Sequence, residues 1–395
     1  MKTANVQTKN RGGYIAEHVG RIPRSGIRDF FEIVQNMSDV ISLGIGEPDF
    51  VTPWHIREAA IHALENGKTK YTSNLGTPRL RKEISGYVEK NYNVAYDPKT
   101  EILVSVGVSE ALDVALRAII NPGDEIIYHE PCFVSYHPGV ALAHGKAVPV
   151  ATRMEDKFAL RAKDIAAKIT PKTKAILLNF PTNPTGAVLP IEEQKKIAEL
   201  CFEHDLILIT DEIYSELTYA GKHHSIAALP GMKERSIFLH GFSKAFAMTG
   251  FRIGYACAPP ELTEAMMCVH QYSMMCASMI SQEAASEALR NGEEAMSNMR
   301  EQYRLRRNFI VHHLNRLGLE CVEPNGAFYV FPCVKSSGLS SRDFSLKLLE
   351  QEKVAVVPGE AFGACGDGFV RCSYATGMDQ IEIAIKRIEN FLKRI

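Results

Sequence analysis

No apolar run in the 395-residue chain approaches the ~18 residues that a helical bilayer span requires. The N-terminal stretch from Met1 to Gly13 is polar and lacks the apolar centre of a secretory signal. Neither charge is in surplus: 45 Lys and Arg stand against 46 Asp and Glu, for a net charge of −1. That balance argues against a dedicated nucleic-acid or anionic-membrane binder, while leaving room for a local basic pocket. The nine cysteines include no CxxC pair, so neither a zinc site nor a secreted disulfide framework is expected. No Walker-type GxxxxGK[ST] spacing, internal repeat, low-complexity tract or long linker occurs. What remains is an ordinary globular composition, 46% apolar and 23% charged, in a chain long enough to bury a large core without staples. The expectation is a soluble, cytoplasmic protein of two or three domains that binds no metal, nucleic acid or membrane.

Along the chain, the first dozen residues read as disordered and residues 22–40 as an arm with a short helical pattern. Ile41 to Gly46 reads as a strand running into a Gly-rich turn, with Pro48 and Pro53 as breakers. Short apolar strands then alternate with helical periods. The strands are Ile102 to Val106, Glu125 to Tyr128, Lys174 to Leu178, Leu206 to Ile209, Ser236 to His240 and Arg252 to Ala256. The helices are Ser109 to Ile120 and Ile191 to His204. Such alternation implies parallel strands buried on both faces. Beyond about residue 290 the pattern changes to a long charged helix, Glu294 to Leu317. Strands at Ala327 to Phe331, Val354 to Val357 and Phe369 to Tyr374 then suggest a smaller α+β unit. The division read from this is 1–45 as an N-terminal arm with part of the small domain, 46–290 as a large domain, and 291–395 as a small C-terminal domain.

Open sheets of this kind bind ligands at the carboxyl ends of their strands. The loops there hold Ser109, Asn183, Asp211, Tyr214, Ser243 and Lys244. A lysine just past a buried strand can lose its hydration, so its pKa falls from ~10.4 and it becomes a neutral amine able to form a Schiff base. Ser243 and Arg252 beside it suit a phosphate. Asp211 could keep a heterocyclic nitrogen protonated, with Tyr214 three residues on as a donor to a ring oxygen. The N–H groups of Val108 and Ser109 would open a helix, a ready anion site. Arg371 alternates with apolar neighbours in a strand, and its planar fork suits a carboxylate. Each residue has a plainer reading when taken alone: a solvated lysine, a capping Asp or Ser, a Pro/Gly turn at Asn183, and an internal salt bridge at Arg371.

Taken together, these residues carry a resemblance to the class I/II aminotransferases of fold type I, which use pyridoxal 5′-phosphate (PLP). The matching segments are Gly46-x-Pro48-Asp49-Phe50, Tyr71-Thr with Gly76-x-x-x-Leu80-Arg81, Asn183-Pro-Thr-Gly186, Asp211-x-x-Tyr214, Ser243-Lys244 with Gly250-x-Arg252-x-Gly254-Tyr255, and Arg371. They run in the family's order over residues of about 25 to 375. The resemblance implies an α/β fold, with a large, mainly parallel sheet domain and a smaller α+β domain. It implies a ping-pong transfer of the amino group of an L-amino acid to a 2-oxo acid. By the same resemblance, Lys244 holds PLP and moves the proton between Cα and C4′, Asp211 pairs with the pyridinium nitrogen, and Asn183 and Tyr214 bind the phenolic oxygen. Val108, Ser109, Ser243 and Arg252 take the phosphate, and Phe133 stacks on the ring. Arg371, helped by Gly46, grips the substrate α-carboxylate. Tyr71 reaches the phosphate of a neighbouring subunit, implying a homodimer with shared active sites.

The segment Ser25 to Phe30 is similar to the N-terminal lid of the subgroup of prokaryotic aspartate, aromatic and N-acetyl-diaminopimelate aminotransferases, which implies that Ile27 lies near the substrate. No distal arginine for a second substrate carboxylate is identified. A PLP β-lyase of the carbon–sulfur type would use the same Lys, Asp and Arg. An aminotransferase-like regulator would need a DNA-binding domain ahead of Ser25, for which there are too few residues. A serine hydrolase would use Ser109, but the second Gly of GxSxG is Ala111 here.

Overall fold

The structure, a computed structural model of the chain, describes residues 13–20, 22 and 37–395. Ile27 with its segment, the expected disorder of residues 1–12 and most of the arm expected over 22–40 lie outside the described residues. The strands, in chain order, are β1 (Ile41–Ser42), β2 (Ile102–Ser105), β3 (Glu125–Glu130), β4 (Lys146–Ala151), β5 (Thr173–Asn179), β6 (Ile207–Asp211), β7 (Ser236–Gly241), β8 (Gly254–Cys257), β9 (Tyr329–Val330), β10 (Val354–Ala355), β11 (Val357–Pro358) and β12 (Val370–Ser373).

Seven of them form one sheet in the order β2-β8-β7-β6-β5-β3-β4. All neighbours are parallel except β8, which runs antiparallel to both β2 and β7. The sheet is thus mainly parallel, as expected, with β8 the exception. Residues 242–253 join β7 to β8 with a single short 3-10 turn and no crossover helix, and an antiparallel neighbour is the one such a connection can reach. The strand expected from Arg252 starts at Gly254 because Arg252 is left-handed, with φ +49°.

Strand alternation decides where the loop residues point. Ala175, Leu177, Ile209, Ile237 and Leu239 pack in one cluster with Ala111, Ala115 and Leu116 of the helix Val108–Ile119. Their neighbours Ile176, Leu178 and Leu208 pack on the opposite face. Asn179 and Asp211 are paired across β5 and β6 and continue the first set. They therefore leave the sheet together, on the side of that helix.

The remaining strands build a smaller assembly. β1 pairs in parallel with β10, and β9 and β11 flank β12 in an antiparallel sheet. The single strand expected over Val354 to Val357 is thus divided between two sheets at Val356. The strand expected to open the segment Ile41 to Gly46 is two residues long before the chain turns, although the Leu43 N–H still donates to the Ala355 carbonyl at 2.8 Å. The long helix, Glu293–Arg316, places Met299, Tyr303, Ile310 and Leu314 in a core with Phe328 and Tyr374. Tyr214, Leu217 and Ala247, from loops of the large sheet, enter the same core. The site at the ends of β6 and β7 is therefore packed directly against the smaller assembly.

Candidate active site

A cavity of about 440 Å³ opens at the carboxyl ends of β5, β6 and β7. Val108, Ser109, Phe133, Asn183, Asp211 and Tyr214 line it from the large sheet, with Ser243, Lys244 and Arg252 from the loop after β7. Gly46 and Arg371 close it from the other side. Of the residues singled out from sequence, only Tyr71 stands away from this cavity, 82% exposed. Ile27 is not among the described residues.

Asp211 ends β6. Its Oδ1 accepts the Ile213 N–H at 3.2 Å and its Oδ2 accepts the Tyr136 hydroxyl at 2.8 Å. Burial raises the carboxyl to about 6, and these two donors oppose the rise. No cation pairs with Asp211 among the described residues, so a buried acid is left facing the cavity with neutral donors only.

Lys244 donates from Nζ to the Gly46 carbonyl at 2.7 Å. Burial lowers its amine to about 8; Glu47 opposes the fall, while Arg371 and Arg252 add to it. Near pH 8 the free amine is therefore a substantial fraction, which is the form that can attack a carbonyl. Its ammonium also lies 5.6 Å from the Phe328 ring centre and 5.9 Å from that of Tyr214.

Two glycines shape an anion cradle. The helix Val108–Ile119 starts at Gly107 without a side-chain cap. A Cβ on Gly107 would stand 2.8 Å from Nη2 of Arg252, and one on Gly254 would stand 2.7 Å from the Val108 nitrogen. The bare Gly254 lets β8 approach the helix N-terminus at backbone distance, and Gly107 leaves room for the tip of Arg252 beside it. Arg252 is steadied by its own Nη1 donating to the Thr249 carbonyl at 3.0 Å.

Arg371 is 3% exposed. Its Nη1 donates to Oδ1 of Asn183 at 2.9 Å and its Nη2 to the Gly44 carbonyl at 2.5 Å, while Nε has no partner. The guanidinium is held between the rings of Tyr329 and Phe362, 4.5 and 4.8 Å from their centres. No carboxylate meets it among the described residues, so the salt bridge of its plainer reading is absent there.

Sequence reasoning missed three residues. Asn179 joins the ends of β5 and β6: its Nδ2 donates to the Asp211 carbonyl at 2.9 Å, and its Oδ1 accepts the Asn183 N–H at 3.2 Å. Its position one residue past the expected strand Lys174 to Leu178 was the available signal. Nothing in the sequence marks Tyr136, between Ser135 and His137, or Tyr329, inside the expected strand Ala327 to Phe331.

These features fit PLP. The uncapped helix start with Arg252 suits its phosphate, the unpaired buried Asp211 its ring nitrogen, and the lowered amine of Lys244 its aldehyde.

The sequence pattern of the aminotransferase class I and II family matches residues 38–388. The chain belongs to that family and is a PLP-dependent aminotransferase, moving amino groups between amino acids and 2-oxo acids. YugH of Bacillus subtilis, whose name gives the aminotransferase class without a substrate, is 53% identical over 381 residues, covering 96% of this chain and 99% of that protein. The aspartate aminotransferase of Pyrococcus abyssi is 45% identical over 382 residues, covering 96% and 98%. A crystal structure of the aromatic aminotransferase of Pyrococcus horikoshii superposes with a TM-score of 0.89 at 45% identity, covering 93% of this chain and 99% of that one. These relatives give no support to the β-lyase alternative.

Proposed function

We propose that this chain runs ping-pong transamination of L-amino acids with Lys244 as nucleophile and proton carrier, Asp211 as the carboxylate that pairs with the protonated ring nitrogen and Arg371 as the clamp for the substrate α-carboxylate. The observation that carries the reading is the meeting, in one cavity, of a lowered amine with a buried carboxyl and a buried guanidinium that lack counter-ions among the described residues.

Val108, Ser109, Ser243 and Arg252 would hold the phosphate, Asn183 and Tyr214 the phenolic oxygen, and Phe133 one face of the ring. When bound, PLP supplies an electron sink for the charge left at Cα on deprotonation. The rest is done by the chain. Arg371 and the Gly46 N–H orient the carboxylate, which fixes the Cα–H bond relative to Lys244. Nζ of Lys244 takes that proton and returns one on the far side of the transfer, an exchange its lowered pKa favours near neutrality. The smaller assembly carrying Arg371 closes the cavity against water.

The test is the first half-reaction. Holoenzyme mixed with single amino acids and no 2-oxo acid should show loss of the lysine-linked cofactor band, with one 2-oxo acid released per site. The panel should centre on aspartate, glutamate, tyrosine and phenylalanine, since relatives carry both aspartate and aromatic names. Continued release of ammonia without an acceptor would replace transamination by elimination.

The proposal includes a homodimer with shared sites, in the cytoplasm. Tyr71 and Tyr272 are 82% and 86% exposed. The loop of Tyr71 meets the segment after Tyr272's helix where Nδ2 of Asn74 donates to the Met275 carbonyl at 3.0 Å. That apolar surface suits a second copy, in which Tyr71 would serve the partner's phosphate. Mixing inactive Lys244→Ala and Tyr71→Ala protomers should restore activity, because some heterodimers hold one intact site; a fully active monomer in sedimentation would refute the sharing. All nine cysteines are free, which suits a reducing compartment. No helix among the described residues is long and apolar enough to cross a membrane.

A further inference from the structure

Tyr329 touches both halves of the site. It is fully buried and lines the cavity from β9. Its hydroxyl is 2.9 Å from that of Tyr214, and among the described residues each is the other's one hydrogen-bond partner. Its ring lies under the Arg371 guanidinium at 4.5 Å. The strands explain the second contact. Tyr329 pairs with Ser373, and Arg371 lies two residues from Ser373 on the same face, so Tyr329 and Arg371 meet on the diagonal. A Cβ on Gly46 would stand 2.6 Å from the Tyr329 hydroxyl, so Gly46 keeps that hydroxyl's position clear.

A phenol has one proton and two lone pairs. If Tyr214 donates to Tyr329, it offers the cavity only lone pairs. If Tyr329 donates, Tyr214 keeps its proton for an acceptor in the cavity and becomes a stronger donor through the hydrogen-bond chain. We propose that Tyr329 is a positioning residue with two separable duties: its hydroxyl donates to Tyr214, aiming the Tyr214 proton into the cavity, and its ring holds Arg371 flat for the substrate carboxylate. Tyr214 has one proton, so wherever it serves an acceptor in the cavity the proton between the two hydroxyls must come from Tyr329. The proposal rests on the reading above, in which Tyr214 serves the cofactor's phenolic oxygen and Arg371 the α-carboxylate.

The test uses holoenzyme and two readouts: the pH midpoint of the bound cofactor's visible band, and the Kd of unreactive carboxylates, 3-phenylpropionate and succinate. A weaker donor from Tyr214 leaves the phenolic oxygen protonated to higher pH. Tyr329→Phe should therefore raise the midpoint by roughly 0.3–1 unit and leave the carboxylate Kd within about twofold. Tyr329→Leu should raise the midpoint similarly and also weaken carboxylate binding roughly 5- to 30-fold, as loss of the cation–π face removes Arg371's support. Added to Tyr214→Phe, Tyr329→Phe should give no further shift, since its effect runs through Tyr214. An unshifted midpoint in Tyr329→Phe, or a shift that adds to that of Tyr214→Phe, overturns the hydroxyl's duty. An unchanged Kd in Tyr329→Leu overturns the ring's. A parent enzyme with no lysine-linked cofactor band would instead refute the site reading on which both depend.

Discussion

Lys244→Ala is expected to fold, to take up PLP with normal stoichiometry but without the lysine-linked absorption, and to lose transamination by at least ~10³-fold. The size follows from the number of duties removed. General acid–base catalysis by one placed side chain contributes ~10²–10⁴-fold, and the substitution also deletes the nucleophile. Folding should survive because burial works against this ammonium, and its one hydrogen bond, to the Gly46 carbonyl, is a modest loss. A melting temperature within about 3 °C of the parent is expected. Lys244→Arg should be equally inactive, since a guanidinium stays protonated near neutral pH and can neither attack nor accept a proton. The measurements are single-turnover transamination, PLP content and a thermal melt on the same preparations. Turnover at the parent rate in Lys244→Ala would end the proposed mechanism.

What the sequence made legible, and what it hid, follows from how each signal is produced. β5, β6 and β7 are buried on both faces, so their apolar runs stood out, and the polar residues just past them could be read as strand-end loops. β4 escaped because it is an edge strand: half of its residues are exposed, and Pro149 interrupts a run of otherwise small apolar residues. Val354 to Val357 looked like one strand because β propensity does not register that Val356 changes sheets. Asp211 and Lys244 could be found because charged groups at buried strand ends need a reason. Tyr136 and Tyr329 could not, because a tyrosine looks the same in sequence whether its hydroxyl is idle or, as at Tyr136, bonds the buried Asp211 carboxyl. Arg371 was read from its isolation in an apolar strand, but nothing in the sequence indicated that two aromatic faces, Tyr329 and Phe362, would take the place of a counter-ion.

Arg371→Ala is expected to lower kcat/KM for every amino acid by roughly 30- to several-thousand-fold, corresponding to about 2–5 kcal/mol for losing a charge-assisted pair and leaving a carboxylate unmatched in a closed site. The loss should be alike for chemically different substrates, because the α-carboxylate is common to all of them. Arg371→Lys should recover only part of it: an ammonium cannot bind a carboxylate through two parallel N–H groups, and it would forgo the guanidinium's contacts with the rings of Tyr329 and Phe362. PLP content should stay normal, since the phosphate is proposed to sit on other residues. Stability gives an independent arm. A buried guanidinium with no counter-ion is costly in the free enzyme, so replacing it should leave the melting temperature little changed or raise it. A structural salt-bridge arginine predicts the reverse pattern, with lower stability and intact activity. The decisive comparison is kcat/KM for an acidic, an aromatic and an aliphatic amino acid beside thermal melts of parent and variant. A loss confined to the acidic substrate would move Arg371 to a distal carboxylate, and a stability loss with unchanged kcat/KM would remove it from the site.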